Sequence, residues 1–243
     1  ALLLAVWAAY SYAARLRHRT ELLNLTHAEQ INEARLQSFV NMSHEIRTPM
    51  SLVISPLQKL LATDTDPSRR HEYGLILRNA KRILRHIDEL MDLRKIEKRQ
   101  MRLSLRRTQL VPFIDDICET FAQVMAGKNI AFSFNYDSSD TSACIDAANF
   151  DKIMMNLLSN AVKYTPEGGR ISIDLERTPV DMVRIAVTDT GIGLDPRNLD
   201  KIFTRFYRGR ENHTAGTAGV GIGLDLCRRL TELHHGTISG RNR

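Results

Sequence analysis

Two groups of residues in this chain of 243 residues have types and spacings suited to chemistry. The first is the peptide Phe39-Val-Asn-Met-Ser-His44-Glu45-Ile-Arg-Thr48-Pro49-Met50. His44 is an imidazole that titrates near neutrality, and the adjacent Glu45 carboxylate suits it as proton acceptor or tautomer holder. Thr48 is four residues on and shares its helical face. Pro49 cannot donate to a helix ladder, which predicts a bend one turn after His44. On its own, such a His-Glu pair also reads as ordinary solvated surface. The second group is glycine-rich: Asp189-Thr-Gly191-Ile-Gly193, then Gly216, then Gly219-Val-Gly221-Ile-Gly223-Leu224. Glycines at alternate positions let backbone amides approach phosphate oxygens, and a helix opening near Gly223 would aim its positive end at them. No GxxxxGK[ST] is present, and no strand, GxGxxG and acidic residue line up as a dinucleotide fingerprint. Asn156, Asn160 and Lys163 share a helical face, where mid-helix asparagines are unfavourable unless used.

The elements that must position these groups follow from periodicity. Residues 22–61 hold no glycine, and Phe39, Ile46, Met50, Val53, Leu57 and Leu60 form a heptad seam on one long helix. Asp64-Thr-Asp-Pro67 ends it, and Ile76, Ala80, Ile83, Ile87 and Leu90 repeat the seam on a second helix. One such hairpin has little core of its own, so two are expected to pair as a four-helix bundle in a homodimer. After about Arg107 the period changes. Alternation at Ile130/Phe132/Phe134, Ile171/Ile173/Leu175 and Val183/Ile185/Val187 predicts strands, and a further strand is expected at Thr237–Ser239. Helices are predicted over Pro112–Met125, Asn149–Val162 and Gly223–Leu233, giving an α/β sandwich.

Composition sets the outer bounds. With 43% hydrophobic and 26% charged residues the chain is foldable, neither collagen-like nor largely disordered. Cys118, Cys144 and Cys227 share no short spacing, which argues against a disulfide framework or a zinc knuckle. Residues 1–110 carry 19 Lys and Arg against 11 Asp and Glu, whereas the remainder carries 15 against 17. That basic half is read as a solvated or membrane-facing surface, with no direct nucleic-acid partner. Residues 1–14, ALLLAVWAAYSYAA, are uncharged and are followed by Arg15, Arg17 and Arg19. Apolar run first and positive charges after it predict the cytoplasmic exit of a membrane span that the numbering enters part-way.

Together these motifs resemble a membrane-bound sensor histidine kinase of two-component signalling. Residues 39–50 are similar to the family's phosphoacceptor box and 151–165 to its asparagine box. Asp189-Thr-Gly-Ile-Gly193 is similar to the first glycine box, Ile202-Phe-Thr-Arg-Phe-Tyr207 to the phenylalanine box, and Gly219–Leu224 to the second glycine box. The resemblance implies a helical-hairpin dimerisation domain followed by an ATP-binding α/β sandwich of the type shared with gyrase, mismatch-repair and chaperone ATPases. It divides the chain into a membrane-helix end at 1–14, a juxtamembrane signalling helix at 15–35, a dimerisation and phosphotransfer domain at 36–106, and a catalytic domain at 107–243.

By the same resemblance His44 is the phosphoryl acceptor, Glu45 its acid/base neighbour, and Thr48 the residue that serves dephosphorylation of a partner. Asn160 is the Mg²⁺ ligand, Asn156 a second nucleotide-side residue, and Lys163 and Tyr164 contact phosphate or ribose. Asp189 receives the adenine amino group, and Gly191 and Gly193 shape the pocket. Gly219, Gly221, Gly223 and Leu224 close the phosphate side of a lid over 194–218, anchored by Phe203 and Phe206. ATP and Mg²⁺ are the implied cofactors, and a response-regulator receiver, separate or fused as in hybrid kinases, is the implied partner. The implied location is the inner or cytoplasmic membrane, with residues after about 15 in the cytoplasm. The resemblance also implies one further closing strand, expected beyond residue 243. Two alternatives stay open: a regulatory scaffold that binds nucleotide without phosphotransfer, and a kinase-fold protein acting chiefly as a phosphatase.

Overall fold

The computed structural model describes residues 45–137, 141–179, 182–207 and 221–242. Its contacts divide the chain after Ile87 into two compact units. In the first, helix α1 (45–63) runs unbroken through Pro49, and a turn at 64–66 leads into α2 (Pro67–Glu97). The aspartates of the turn are the reason it stops and restarts there. Asp64 Oδ1 accepts from Asp66 N–H at 2.9 Å, and Asp66 Oδ1 caps α2 by accepting from Ser68 N–H at 2.9 Å. Arg70 Nη1 donates to the Leu61 carbonyl at 2.6 Å, satisfying one of the orphan acceptors at the end of α1. The Asp66 N–H, and after it Arg69, hold the Asp64 carboxyl below its ordinary value.

The second unit holds the last turns of α2, then β1 (Arg106–Gln109), α3 (Leu110–Gly127), β2 (Ala131–Tyr136), β3 (Ser142–Ile145), α4 (Ala147–Tyr164), β4 (Arg170–Arg177), β5 (Val183–Asp189), a 3-10 turn (Pro196–Lys201) and α5 (Gly223–Leu233). One sheet has the order β2-β4-β5, with β2 and β4 parallel and β4 and β5 antiparallel. β1 and β3 form a separate antiparallel pair. The alternation of Ile171, Ile173 and Leu175 puts all three on the buried face of β4, as their period of two demands.

α4 is the central element because both of its faces are covered. Met154 and Leu158 join Leu110, Ile114 and Ile117 of α3 and Ile173 and Leu175 of the sheet in one core. Ile153, one position round, joins Leu226, Cys227 and Leu230 of α5 and Leu93 of α2 in another. Each fully buried aliphatic side chain contributes about 1.5–3 kcal/mol. Burial pushes the Cys227 thiol up to about 12 and the Cys118 thiol up to about 11, so both are inert packing groups.

Two expectations need correction, and two short strands fall outside the alternation. Residues 237–239 form no strand, since β5 has no ladder partner among the described residues other than β4. α4 begins at Ala147 rather than Asn149, because Asp146 caps it by accepting from Asn149 N–H at 3.0 Å. β1 and β3 were not anticipated from the alternation: each has only four residues, and Arg-Arg-Thr-Gln carries no apolar period. No helix among the described residues is long and apolar enough to cross a membrane, and residues 1–14 lie outside them.

Candidate nucleotide site

The site is assembled where the second half of α4, the turn after β5 and the first turn of α5 meet. α4 is held rigidly at both ends. At its start Asp146 Oδ2 also accepts from Ser104 N–H at 2.8 Å, and these backbone donors outweigh burial to keep the carboxyl below its ordinary value. His234 Nε2 accepts from Asp146 N–H at 3.1 Å while Nδ1 lies 2.7 Å from the Leu230 carbonyl, which requires the neutral tautomer protonated on Nδ1. At the other end Lys128 Nζ donates to the carbonyls of Val162 (2.8 Å) and Thr165 (3.1 Å), a cation on the negative end of the helix.

Asn156 Nδ2 donates to the Lys152 carbonyl at 3.1 Å, which fixes the amide and turns Oδ1 toward α5. A Cβ on Gly223 would lie 2.5 Å from that oxygen, so only glycine lets α5 begin this close to Asn156. Asn160 is half-buried one turn further along the same face. Lys163 Nζ donates to Tyr164 OH at 3.1 Å and sits 4.7 Å from the centre of its ring. Across from the end of α4, Asp189 Oδ1 accepts from Gly191 N–H at 2.8 Å. A Cβ on Gly191 would strike the Tyr164 carbonyl at 2.7 Å, so the first glycine motif is pressed against the asparagine helix. Gly193 follows at φ +70°, and Leu194 is clamped through both backbone groups by the Asn242 amide, at 2.8 and 2.6 Å.

Gly221 has φ +75°, and a Cβ there would meet the Tyr207 carbonyl at 2.7 Å. Its own carbonyl accepts from Phe206 N–H at 2.8 Å. This main-chain crossing, rather than the Phe206 ring, ties the phenylalanine motif to the second glycine motif. Phe206 is 60% exposed and takes a positive φ of 62°; most of the lid it is expected to anchor lies outside the described residues. Phe203 is half-buried.

The structure therefore brings together Asn156, Asn160, Lys163, Tyr164, Asp189, Gly191, Gly193, Gly221, Gly223 and Leu224. His44, Gly219 and most of the expected lid, from residue 208 on, lie outside the described residues. Glu45 and Thr48 are exposed on α1, in the other unit. A groove of about 430 Å³ between Leu199 and Phe203 and the 236–240 segment contains none of these residues. Lys128, His234, Asn242 and Arg205 were missed in the sequence, since each acts on a residue tens of positions away.

Two family models match the chain: the His Kinase A (phospho-acceptor) domain over residues 34–99, and the histidine kinase-, DNA gyrase B- and HSP90-like ATPase over residues 145–243. The chain belongs to the two-component sensor histidine kinases. It is 33% identical over 93% of its length to histidine kinase P4 of Formosa agariphila, and 28% identical over 89% to the sensor histidine kinase WalK of Bacillus subtilis. It spans only 17% and 36% of the length of those two relatives. Among solved structures, the catalytic domain of histidine kinase ThkA matches at 30% identity and a TM-score of 0.51, over 58% of this chain and 89% of that one. Full-length ShkA in complex with AMPPNP shares the fold at a TM-score of 0.66 and 23% identity, over 81% of this chain and 41% of that one. The fold is thus a helical hairpin followed by the family's α/β ATPase sandwich.

Proposed function

We propose that this histidine kinase chain phosphorylates its own His44 from ATP and passes the phosphoryl group to an aspartate of a response-regulator receiver. The observation that carries the reading is the closure of Gly223 onto Asn156 and of Gly191 onto Tyr164, which gathers three separate motifs around one site. Asp189 would receive the adenine amino group on its second carboxylate oxygen, Lys163 and Tyr164 would contact phosphate or ribose, and the backbone amides from Gly221 to Leu224 would close the phosphate side. Among the described residues no cluster of three or more His, Cys, Asp or Glu suits a metal. Mg²⁺ takes hard oxygen donors and keeps several waters beside substrate phosphates, so it asks for few protein ligands, and the side-chain oxygen of Asn160 is a donor of that kind. Asn160 is the side chain that would hold it, and the ion would supply neutralisation of phosphate charge.

In the transfer a neutral ring nitrogen of His44 attacks the γ-phosphorus in line with the bond to the β-phosphate oxygen. The N–P bond forms, that P–O bond breaks, ADP leaves, and Glu45 accepts the ring proton. The protein's part is positioning and charge stabilisation. Thr48, exposed on α1, would hold water in line with a receiver phosphoaspartate, so Thr48→Ala should slow receiver dephosphorylation while autophosphorylation stays within a few-fold. Equal loss of both rates, or of neither, would make Thr48 structural. The exposed apolar residues of the hairpin, Val53, Leu60, Ile76 and Ile83, support a homodimer. The apolar run at 1–14 and the arginines after it support attachment to the inner or cytoplasmic membrane, with the rest cytoplasmic.

Calorimetric titration with a non-hydrolysable ATP analogue and Mg²⁺ tests the site. Asn160→Ala and Asp189→Ala should each weaken binding at least tenfold with folding retained, and undiminished affinity in both would overturn the assignment.

A further inference from the structure

Outside the nucleotide site, an array of charge runs from the end of α2 to α5. Glu97 Oε1 accepts from Arg205 Nη2 at 2.6 Å, and Arg205 Nε donates to Asp225 Oδ2 at 3.1 Å. The other oxygen of Asp225 accepts from Arg229 Nε at 2.9 Å, and Arg94 Nη1 lies 2.8 Å from Glu97 Oε2. All five residues belong to the second unit. The Asp225 side chain is only 6% exposed, and both of its oxygens are paired with arginines. Arg229 supplies one from within α5, and Arg205 supplies the other from a different segment.

Arg205 has a second consequence through its neighbours. The next residue, Phe206, takes φ 62° and donates to Gly221, itself at φ +75°. Left-handed backbone at a phenylalanine is unfavourable and persists only where its surroundings enforce it. Arg205 fastens one side of this crossing to the first turn of α5, two residues beyond Gly223. Glu97 fastens Arg205 to the end of α2. Glu97 also has Arg94 on its own helix, so loss of the tie to Arg205 would leave its carboxylate with one cation.

We propose that Arg205 is a positioning residue that sets the Phe206–Gly221 crossing and the start of α5, and that Glu97 acts through it to couple the end of α2 to nucleotide binding. The inference rests on the reading of Asn156 and Gly223 as part of a nucleotide site. Linkage makes the coupling reciprocal: attachment of Glu97 to Arg205 favours nucleotide by the same factor as nucleotide favours the attachment. The α2 helix that leaves the hairpin would thereby sense whether nucleotide is bound.

A double-mutant cycle tests this, with titration of a non-hydrolysable ATP analogue and Mg²⁺ into the full chain. Glu97→Gln, a change at a partly exposed side chain that leaves the fold intact, should weaken binding about fivefold. Arg205→Gln should weaken it further, and Arg205→Lys should restore part of the loss. Glu97→Gln added to Arg205→Gln should have no additional effect, since Glu97 acts only through Arg205. In the nucleotide-free chain, Glu97→Gln should also speed hydrogen exchange at the Phe206 amide without lowering the melting temperature, which a merely stabilising ion pair would not do. Wild-type affinity in Glu97→Gln, or multiplicative losses in the double variant, would overturn the inference. A wild-type chain that binds no nucleotide would instead overturn the site reading, before any variant is made.

Discussion

The hairpin and the sandwich spend their apolar residues differently. In the sandwich Ile114, Leu158, Ile173, Leu226 and Leu230 are fully buried within one chain. In the hairpin unit up to Ile87 only Leu77 and Ala80 are buried among the described apolar residues, while Leu52 stands 71% exposed and Leu75, Ile76 and Ile83 about half exposed. The heptad spacing is as regular in the hairpin as any pattern in the sandwich, so the difference does not come from weaker patterning. A two-helix layer has one inner seam and leaves the other stripe open, whereas a helix between a sheet and another helix has both stripes covered. Catalytic precision is built into the unit that closes on itself, and the open stripe belongs to the unit proposed to pair.

The sharpest contrast is mutational. Leu158→Ala should destabilise the sandwich by about 2–5 kcal/mol in urea unfolding. Ile83→Ala should leave that transition in place and instead raise the concentration at which light scattering detects the dimer. Equal destabilisation by both would erase the distinction between closed and open units.

Within the sandwich, Gly191→Ala should cost about 1–3 kcal/mol, because the added methyl meets backbone at the Tyr164 carbonyl and cannot be accommodated by a side-chain shift. Nucleotide affinity should fall with it. A variant with wild-type stability and affinity would show that the first glycine motif is not pressed on α4.

Next in size is the cap that starts α4. Asp146→Asn keeps one oxygen acceptor and loses the other, leaving either Asn149 N–H or Ser104 N–H unpaired, at about 1 kcal/mol near neutral pH. The folded-state pKa of Asp146 is depressed, so its ionised form contributes stability above the ordinary value of 3.8 and that contribution is lost as pH falls below it. The stability gap between wild type and Asp146→Asn should therefore narrow below about pH 4. A gap independent of pH would mean that the charge of Asp146 has no part in the cap.

How much of this was legible in the sequence depended on range. The start of α2 at Pro67 and the whole of α5 were readable because a proline, an aspartate cap and a clean period act locally. The grouping of Asn156, Asp189, Gly191, Gly221 and Gly223 came from the resemblance of their motifs to a histidine kinase, since no local period joins residues so far apart in the sequence. The tie between Glu97 and Arg205 spans 108 positions, and that between Asp146 and His234 spans 88. No local period marks such pairs.

The smallest expected effect sharpens the same lesson about glycines. A Cβ on Gly127 meets nothing within 4 Å, in contrast to Gly191 and Gly223. Gly127→Ala at the end of α3 should raise stability by about 0.4–1 kcal/mol, read as a small increase in melting temperature. A loss would show hidden strain at that helix end.

The central claim, transfer of phosphoryl from ATP to His44, is tested most directly by incubating the chain with γ-labelled ATP and Mg²⁺ and following acid-labile, base-stable label on the protein. The account predicts that the wild type acquires such label and that His44→Gln acquires none while binding the nucleotide analogue as before. Label on His44→Gln at the wild-type level would place the acceptor elsewhere and contradict it.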